Sequence, residues 1–355
     1  VLLLIAGFGI KLALPLLHWW LPPVYAVTPV AAVAVFSGVM IKAGLLGLLR
    51  FLPPGEATPA GWGMLLVVIG AATIFFGVIA GLLQKRPRLL LGYSSISKMG
   101  VLTTGLGAAL AFPTAAPGIV AALLVYATHH ALAKTALFLG LGLVERSNLR
   151  LSLLIGLGFL ALVLAGAPLS SGALAKLALS DSLSQAAPVL VTLLAASTLA
   201  TTLLMVRFMF LLWSRRRQGI MPLPGVPLSA WLVLVSLIMA LPFVLAGIDQ
   251  LMINIIPVAL GLLLGLVGIR FGSHIYPVLI GGRKRVGIQA LSSPLRAALR
   301  HELKNRRFDN TLQGIALAVA AYHRQPGHCQ ARHQSQTQTP PRPITPPHTN
   351  ANAPA

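Results

Sequence analysis

From Val1 to about Arg270 the sequence is a series of apolar stretches, each closed off by proline, glycine or charge. A helix needs about 20 mostly apolar residues to cross the hydrocarbon core of a bilayer. Punctuation divides the chain into nine candidate spans: 1–21, 29–51, 61–83, 89–111, 118–144, 152–184, 188–213, 229–247 and 253–272. Only 9% of the residues are charged, against about 25% in an average soluble domain. So few charges cannot cover the surface of a soluble protein of this size, which excludes an ordinary cytosolic enzyme. The expected fold is an all-α integral membrane protein of about nine transmembrane helices.

One stretch is too long for a simple crossing. Residues 152–184 carry Gly166-Ala-Pro168 and Ser170-Ser171-Gly172 in their middle, a pattern that predicts a helix broken inside the membrane. Such a break survives only where protein or a water-filled cavity satisfies the freed backbone groups.

The net charge of +21 comes from 27 Lys+Arg against 6 Asp+Glu. A balance like that invites a nucleic-acid reading, but its distribution argues otherwise, because 11 of the 27 basic residues fall from Arg283 onward. Stacking aromatics are also lacking, with Tyr322 the one candidate in the tail. No nucleic-acid partner is expected. The other basic groups mark loops on alternate sides: Lys85-Arg86-Pro87-Arg88, Arg146 to Arg150, Arg215-Arg216-Arg217 and Arg283-Lys284-Arg285. The intervening connections near 52–60, 112–118, 185–188 and 247–252 hold neither Lys nor Arg. The positive-inside rule makes the first set cytoplasmic and places the C-terminal region inside. The chain opens at Val1 within an apolar stretch, which is expected of a fragment lacking its true N-terminus. Residues 291–322 read as a basic amphipathic helix for an anionic lipid surface or a partner subunit. Residues 323–355, rich in Gln, His, Thr and Pro, read as a disordered polar tail. Its His323, His328 and His333 read as solvated, so no metal site is expected. The single cysteine, Cys329, excludes disulfide scaffolds, zinc sites and cysteine-ligated iron–sulfur clusters.

The informative residues are lysines inside the spans. Lys11 stands about ten residues from either end of its stretch, or about 15 Å at the helical rise, too far for its side chain to snorkel. Lys42 and Lys134 are similarly deep, Lys176 follows the break in the long span, and Lys98 lies ten residues into its span. A charged lysine at a helix centre costs roughly 2.5–3.5 kcal/mol on insertion scales, so intramembrane lysines are functional candidates by default. Desolvation disfavours an ammonium and can bring its proton equilibrium toward neutral pH. Lysine can therefore load and release a proton as neighbouring charges move. His129 and His130 lie one turn before Lys134, and the i, i+4 spacing puts His130 and Lys134 on one face. Imidazoles relay protons at physiological pH. Together these residues read as a lateral row of proton sites. Lys98 follows Tyr93-Ser94-Ser95 and reads equally well as a snorkelling or loop-pairing residue. Asp181 reads as a solvated helix-end charge, and Glu145 as a partner for Arg146 or Arg150.

These residues carry a resemblance. The run Lys11-Leu-Ala-Leu-Pro15-Leu-Leu-His18-Trp-Trp-Leu21-Pro22, continuing to Thr28-Pro29, resembles the signature of the antiporter-like, proton-translocating membrane subunits of respiratory complex I. Ser37-Gly38 to Lys42-Ala-Gly44 resembles the following helix with its second lysine. Lys85-Arg-Pro-Arg88 to Tyr93-Ser94-Ser95-Ile-Ser-Lys98-Met-Gly100, His129-His130-Ala-Leu-Ala-Lys134, and Gly166-Ala-Pro168 to Gly172 and Lys176 resemble three further family motifs in order. The family also includes subunits of membrane-bound hydrogenases, formate hydrogenlyase and Mrp-type antiporters. The resemblance implies a bundle of two inverted repeats, each with one interrupted helix. It implies the end of the first repeat at 1–60, the second repeat at 61–213, trailing helices at 214–282, then the basic segment 283–322 and the tail 323–355.

The resemblance assigns proton translocation to Lys11, Lys42, His130, Lys134 and Lys176, with His129 and Lys98 as further members. The family's glutamate partner for its first lysine would precede Val1, and Tyr126 stands where the family has a further histidine. The implied function is a proton-translocating subunit of a complex I-like or hydrogenase-like respiratory assembly, an oxidoreductase complex whose electron transfer is housed in other subunits. This chain would hold no cofactor itself, with quinone, flavin or iron–sulfur groups confined to partner subunits. Its partners would be other membrane subunits, lipid, protons and, in the Mrp reading, Na⁺. The expected location is a bacterial inner membrane. The alternatives are a subunit of an Mrp-type Na⁺/H⁺ antiporter and a non-conducting membrane scaffold.

Overall fold

A computed structural model describes residues 1–54, 60–146, 151–214, 225–245 and 255–281. The loops expected at 147–150, 215–217 and 283–285, the basic segment 283–322 and the tail 323–355 lie outside the described residues. Every regular element described is helical. Five helices are long and apolar enough to cross a membrane: Val30–Phe51, Gly61–Leu82, Ala116–Val144, Pro188–Trp213 and Pro227–Val244. The chain is a multi-span, all-α integral membrane protein. Val1–Ile275 forms one compact unit, and the second unit, Tyr276–Ala355, is described only through Tyr276–Gly281 at the end of the last helix.

The first expected stretch is not one helix. α1 (Leu2–Leu12) stops where Ala13 turns left-handed at φ 55°, and its N–H bonds back to Ile10. Leu16 is left-handed too, at φ 68°. The chain resumes as α2 (Leu21–Val27), started by prolines in its first turn, where their fixed φ suits a helix and their missing N–H costs nothing. α3 (Val30–Val35) passes through a π-helical turn, Phe36–Met40, into α4 (Lys42–Phe51). The three form one bent span.

α5 (Ala60–Leu82) and α6 (Pro87–Ala111) make a tightly packed hairpin. Gly63, Gly70 and Gly77 recur every seven residues along one face of α5. A Cβ on Gly70 would stand 2.5 Å from the Thr104 nitrogen and 2.7 Å from the Gly100 oxygen. A Cβ on Gly107 would stand 2.6 Å from the Gly63 oxygen. Backbone lies against backbone, the usual consequence of small residues between membrane helices. α6 is the centre of the bundle: Leu90 through Leu110 are all buried, enclosed by α2, α4, α5, α7 and α10.

α7 (Ala116–Arg146) packs on α6 and the π-helical turn, and also on the next two helices, α8 (Leu151–Ala165) and α9 (Ser171–Ser184). The expected break in 152–184 falls between α8 and α9, with Gly166 at φ 88° and Leu169 at φ 59°. Ser170 caps α9 by accepting from the Ala173 N–H at 3.3 Å, which is the common role of serine at that position. Three helices follow: α10 (Pro188–Trp213), α11 (Gly225–Leu245) and α12 (Ile255–Gly281). Trp231 on α11 docks against α7 and α8. Its indole N–H donates to the Ala136 carbonyl at 3.0 Å, and its ring fills the space left by Gly140 and Gly156.

Candidate functional site

Four helices bring the titratable residues together around α6. Lys42 opens α4 directly after the π-helical turn, Lys98 lies in the middle of α6, His129, His130 and Lys134 lie on α7, and Lys176 lies on α9 just past the break. All six are buried, and His130 and Lys134 have no exposed surface at all. The burial of Lys98, 1% exposed, rules out a snorkelling role for it. Lys11 stands apart: it is exposed in the last turn of α1, beside the break. The helix that carries it stops one residue later.

Hydroxyls and backbone carbonyls link the lysines. Lys42 Nζ donates to the Ser37 carbonyl in the π-helical turn. Ser37 and Ser95 hydroxyls meet at 3.2 Å across the packing of that turn on α6. The Ser95 hydroxyl donates to the Leu91 carbonyl at 3.1 Å, so the Ser37 hydroxyl is the donor in that pair. Lys134 Nζ donates to the same Leu91 carbonyl at 2.7 Å and to Ser94 Oγ at 2.8 Å. Polar contacts thus step from α4 to α7 across α6, by way of Ser37 and of the Leu91 carbonyl that Ser95 and Lys134 share. On the other side of α7, His129 Nδ1 and Ser171 Oγ are 2.9 Å apart, and Lys176 Nζ donates to the Ala165 carbonyl that the helix break has freed.

Lys98 sits between these two halves. It interacts electrostatically with His129, His130, Lys134 and Lys176. Neither Lys98 Nζ nor either nitrogen of His130 has a hydrogen-bond partner among the described residues. Tyr126 lies edge-on to His129, with ring centroids 6.2 Å apart, and so shields it within the apolar interior.

Among described side chains the one carboxylate is Asp181, which is exposed. Four lysines thus share a buried volume with no described carboxylate to balance them. In a medium of low polarity their like charges repel strongly, so protonation of one opposes protonation of the next. Such a row can hand charge along.

The family follows from a profile described as "NADH:quinone oxidoreductase/Mrp antiporter, TM", which matches residues 1–201. The chain belongs to that family. Among its relatives, formate hydrogenlyase subunit 3 of Escherichia coli (strain K12) is 36% identical over 148 residues, 40% of this chain and 24% of the relative. Among solved structures, the membrane-bound sulfane sulfur reductase, an archaeal respiratory membrane complex, aligns with a TM-score of 0.59 at 23% identity, covering 94% of this chain and 66% of that one. The Mrp complex of a Dietzia species aligns at 0.56 and 21% identity, covering 72% and 59%. At those identities the two structures establish the fold alone. The chain spans about a quarter to a third of the length of the curated relatives it matches.

Ser37, Ser94, Ser95 and Ser171 belong to the site and are not titratable, so a search for buried charge passes over them. Polar residues in otherwise apolar helices were the available signal. The acceptor carbonyls of Ser37, Leu91 and Ala165 had no signal in the sequence.

Proposed function

We propose that this chain is a proton-translocating membrane subunit of a complex I-like or hydrogenase-like respiratory assembly. The observation that carries the reading is the buried row of Lys42, Lys98, Lys134 and Lys176 with His129 and His130, joined by serine hydroxyls and lacking a described carboxylate. Electron transfer in partner membrane or peripheral subunits changes charge or conformation at one end. The row passes that change on as successive protonation and deprotonation. Protonation of Lys42 and of Lys134 oppose each other across α6, where Ser94 Oγ accepts from Lys134 and the Ser37 and Ser95 hydroxyls meet. His129 and Ser171 lead toward Lys176 at the helix break. Lys11 lines the entry side of the row at the first break. Any quinone, flavin or iron–sulfur group would belong to those partners.

In this reading the molecule has about nine crossings, two of them interrupted, at 13–20 and at 166–170. Residues 1–60 close a first repeat, 61–213 form the second and 214–282 trail it. The C-terminal region is cytoplasmic and the membrane is a bacterial inner membrane. The family description, which takes in Mrp antiporters, supports a second reading, a subunit of a Na⁺/H⁺ antiporter without redox partners.

Lys176→Ala in the assembled complex, assayed in everted vesicles with a pH-sensitive dye, is expected to abolish proton movement and leave assembly intact. Full proton transport by that variant overturns the assignment. Sodium-dependent proton movement without any electron donor decides for the second reading.

A further inference from the structure

An apolar cleft of about 510 Å³ opens on the outside of the bundle between α8, α10 and α12. Leu151, Gly158 and Ala165 line it from α8, Met205 and Trp213 from α10, and Ile269 from α12. Thr202 and the Trp213 indole supply the only polar side-chain atoms among the lining residues. The volume is that of a ligand cavity, about 300–1,000 Å³. It follows α8 from Leu151 to Ala165, about 21 Å at the helical rise. That is longer than one leaflet of a hydrocarbon core about 30 Å thick.

All the empty space in the cleft, about 1160 Å³, over that length gives a mean cross-section of about 55 Å². A helix about 10 Å across occupies about 79 Å², more than the cleft offers along its length. A single hydrocarbon chain fits. The polarity of the cleft is also uneven along its length. Gly261 on α12 meets Thr202 on α10, and Gly265 meets Val206, so the two helices run side by side in the same direction. Trp213 and Ile269 therefore close the same end. Exposed Arg270 follows Ile269 there, and the sequence continues past Ser214 into Arg215-Arg216-Arg217. A tryptophan beside basic residues marks the headgroup level, and basic residues at that level attract anionic lipid.

We propose that the cleft binds one acyl chain of an anionic phospholipid, with the lipid phosphate against Arg270 at the Trp213 end. The test uses the full chain, purified in detergent and delipidated. It is incubated with phosphatidylglycerol carrying a photoreactive diazirine in its acyl chain, or with phosphatidylcholine carrying the same chain. Irradiation and peptide mapping then locate the label. Phosphatidylglycerol is expected to label the cleft-lining residues of α8 and α10 at least fivefold more than phosphatidylcholine does. A Cβ on Gly158 would meet only Met209 Cε, at 3.6 Å, so Gly158→Phe places its ring in the cleft and is expected to remove most of the label. Leu266→Trp, at an exposed position on the cleft wall, does the same without touching the interior. Arg270→Gln is expected to erase the preference for phosphatidylglycerol and leave acyl labelling in place. Equal labelling by the two lipids in the unaltered chain, or label absent from α8, overturns the proposal. So does label undiminished in the folded cleft-filling variants.

Discussion

Replacing Lys134 by methionine separates the proposed proton-handling role of the amine from its contribution to stability, because methionine keeps much of the length and the apolar character of the stem. The change removes hydrogen bonds of 2.7 Å to the Leu91 carbonyl and 2.8 Å to Ser94 Oγ. Bonds made by a charged donor contribute about 1.5–3 kcal/mol each, so about 3–6 kcal/mol is lost. The same change relieves the roughly 2.5–3.5 kcal/mol that a lysine at mid-span costs. The acceptors are not orphaned: the Leu91 carbonyl keeps the Ser95 hydroxyl. The net change lies between a gain of about 0.5 and a loss of about 3.5 kcal/mol, which a bundle of this size survives. Transport in reconstituted complex, followed as acidification of proteoliposomes, is expected to fall at least tenfold, because the α7 group bonded to Leu91 and Ser94 on α6 can no longer carry a proton. Leu139→Met on the same helix is the control and should transport normally. A Lys134→Met complex that assembles and keeps more than half its transport rate refutes the relay. Where Lys134→Met fails to assemble, a Lys134→Arg complex that recovers both assembly and transport assigns the amine a structural role instead, because a guanidinium cannot release a proton.

Other perturbations read different parts of the molecule. Gly70→Leu forces a side chain into the Thr104 and Gly100 backbone. It is expected to lower stability by about 1–3 kcal/mol through overpacking, seen as an earlier melting transition in fluorescence-detected size-exclusion chromatography. Trp231→Phe loses the 3.0 Å bond to the Ala136 carbonyl and is expected to cost about 0.5–1.5 kcal/mol in the same assay, with transport reduced less than twofold. Ser171→Ala removes the hydroxyl 2.9 Å from His129 Nδ1, and proteoliposome acidification should slow severalfold at unchanged assembly. Lys98→His keeps a titratable group at the centre of the row and should retain transport, whereas Lys98→Leu should lose it.

Some elements were legible because their ends are chemically marked. The stretch 188–213, between a proline and three arginines, is α10 to the residue, and Gly166-Ala-Pro168 announced a break that the backbone makes at Gly166. Other features left no mark. Ala13 and Leu16 turn left-handed without a glycine, so the stop of α1 at Leu12 was invisible. The π-helical turn at Phe36–Met40 looks like any apolar helix in sequence. Facing was the hardest property to read. In soluble helices polarity marks the inner face, but these helices are apolar all round, and nothing local separates Lys11, which is exposed, from Lys42, which is buried. The order of motifs identified the row of titratable groups. Only packing supplied the hydroxyl links.

The burial of α6 bears on how the chain enters a membrane during synthesis. Ser94, Ser95, Ser97, Lys98, Thr103 and Thr104 leave this helix outside the set that is long and apolar enough to cross alone. A translocon that sorts each segment by its own partitioning would release α6 back to water. The glycine faces of α5, built to touch the α6 backbone, offer it a preceding apolar helix on which to settle. The pair is then expected to enter as a hairpin, with the polar groups of α6 covered further when α7 packs on it. The residues that make the centre of the bundle polar thereby tie the entry of α6 to that of its neighbours.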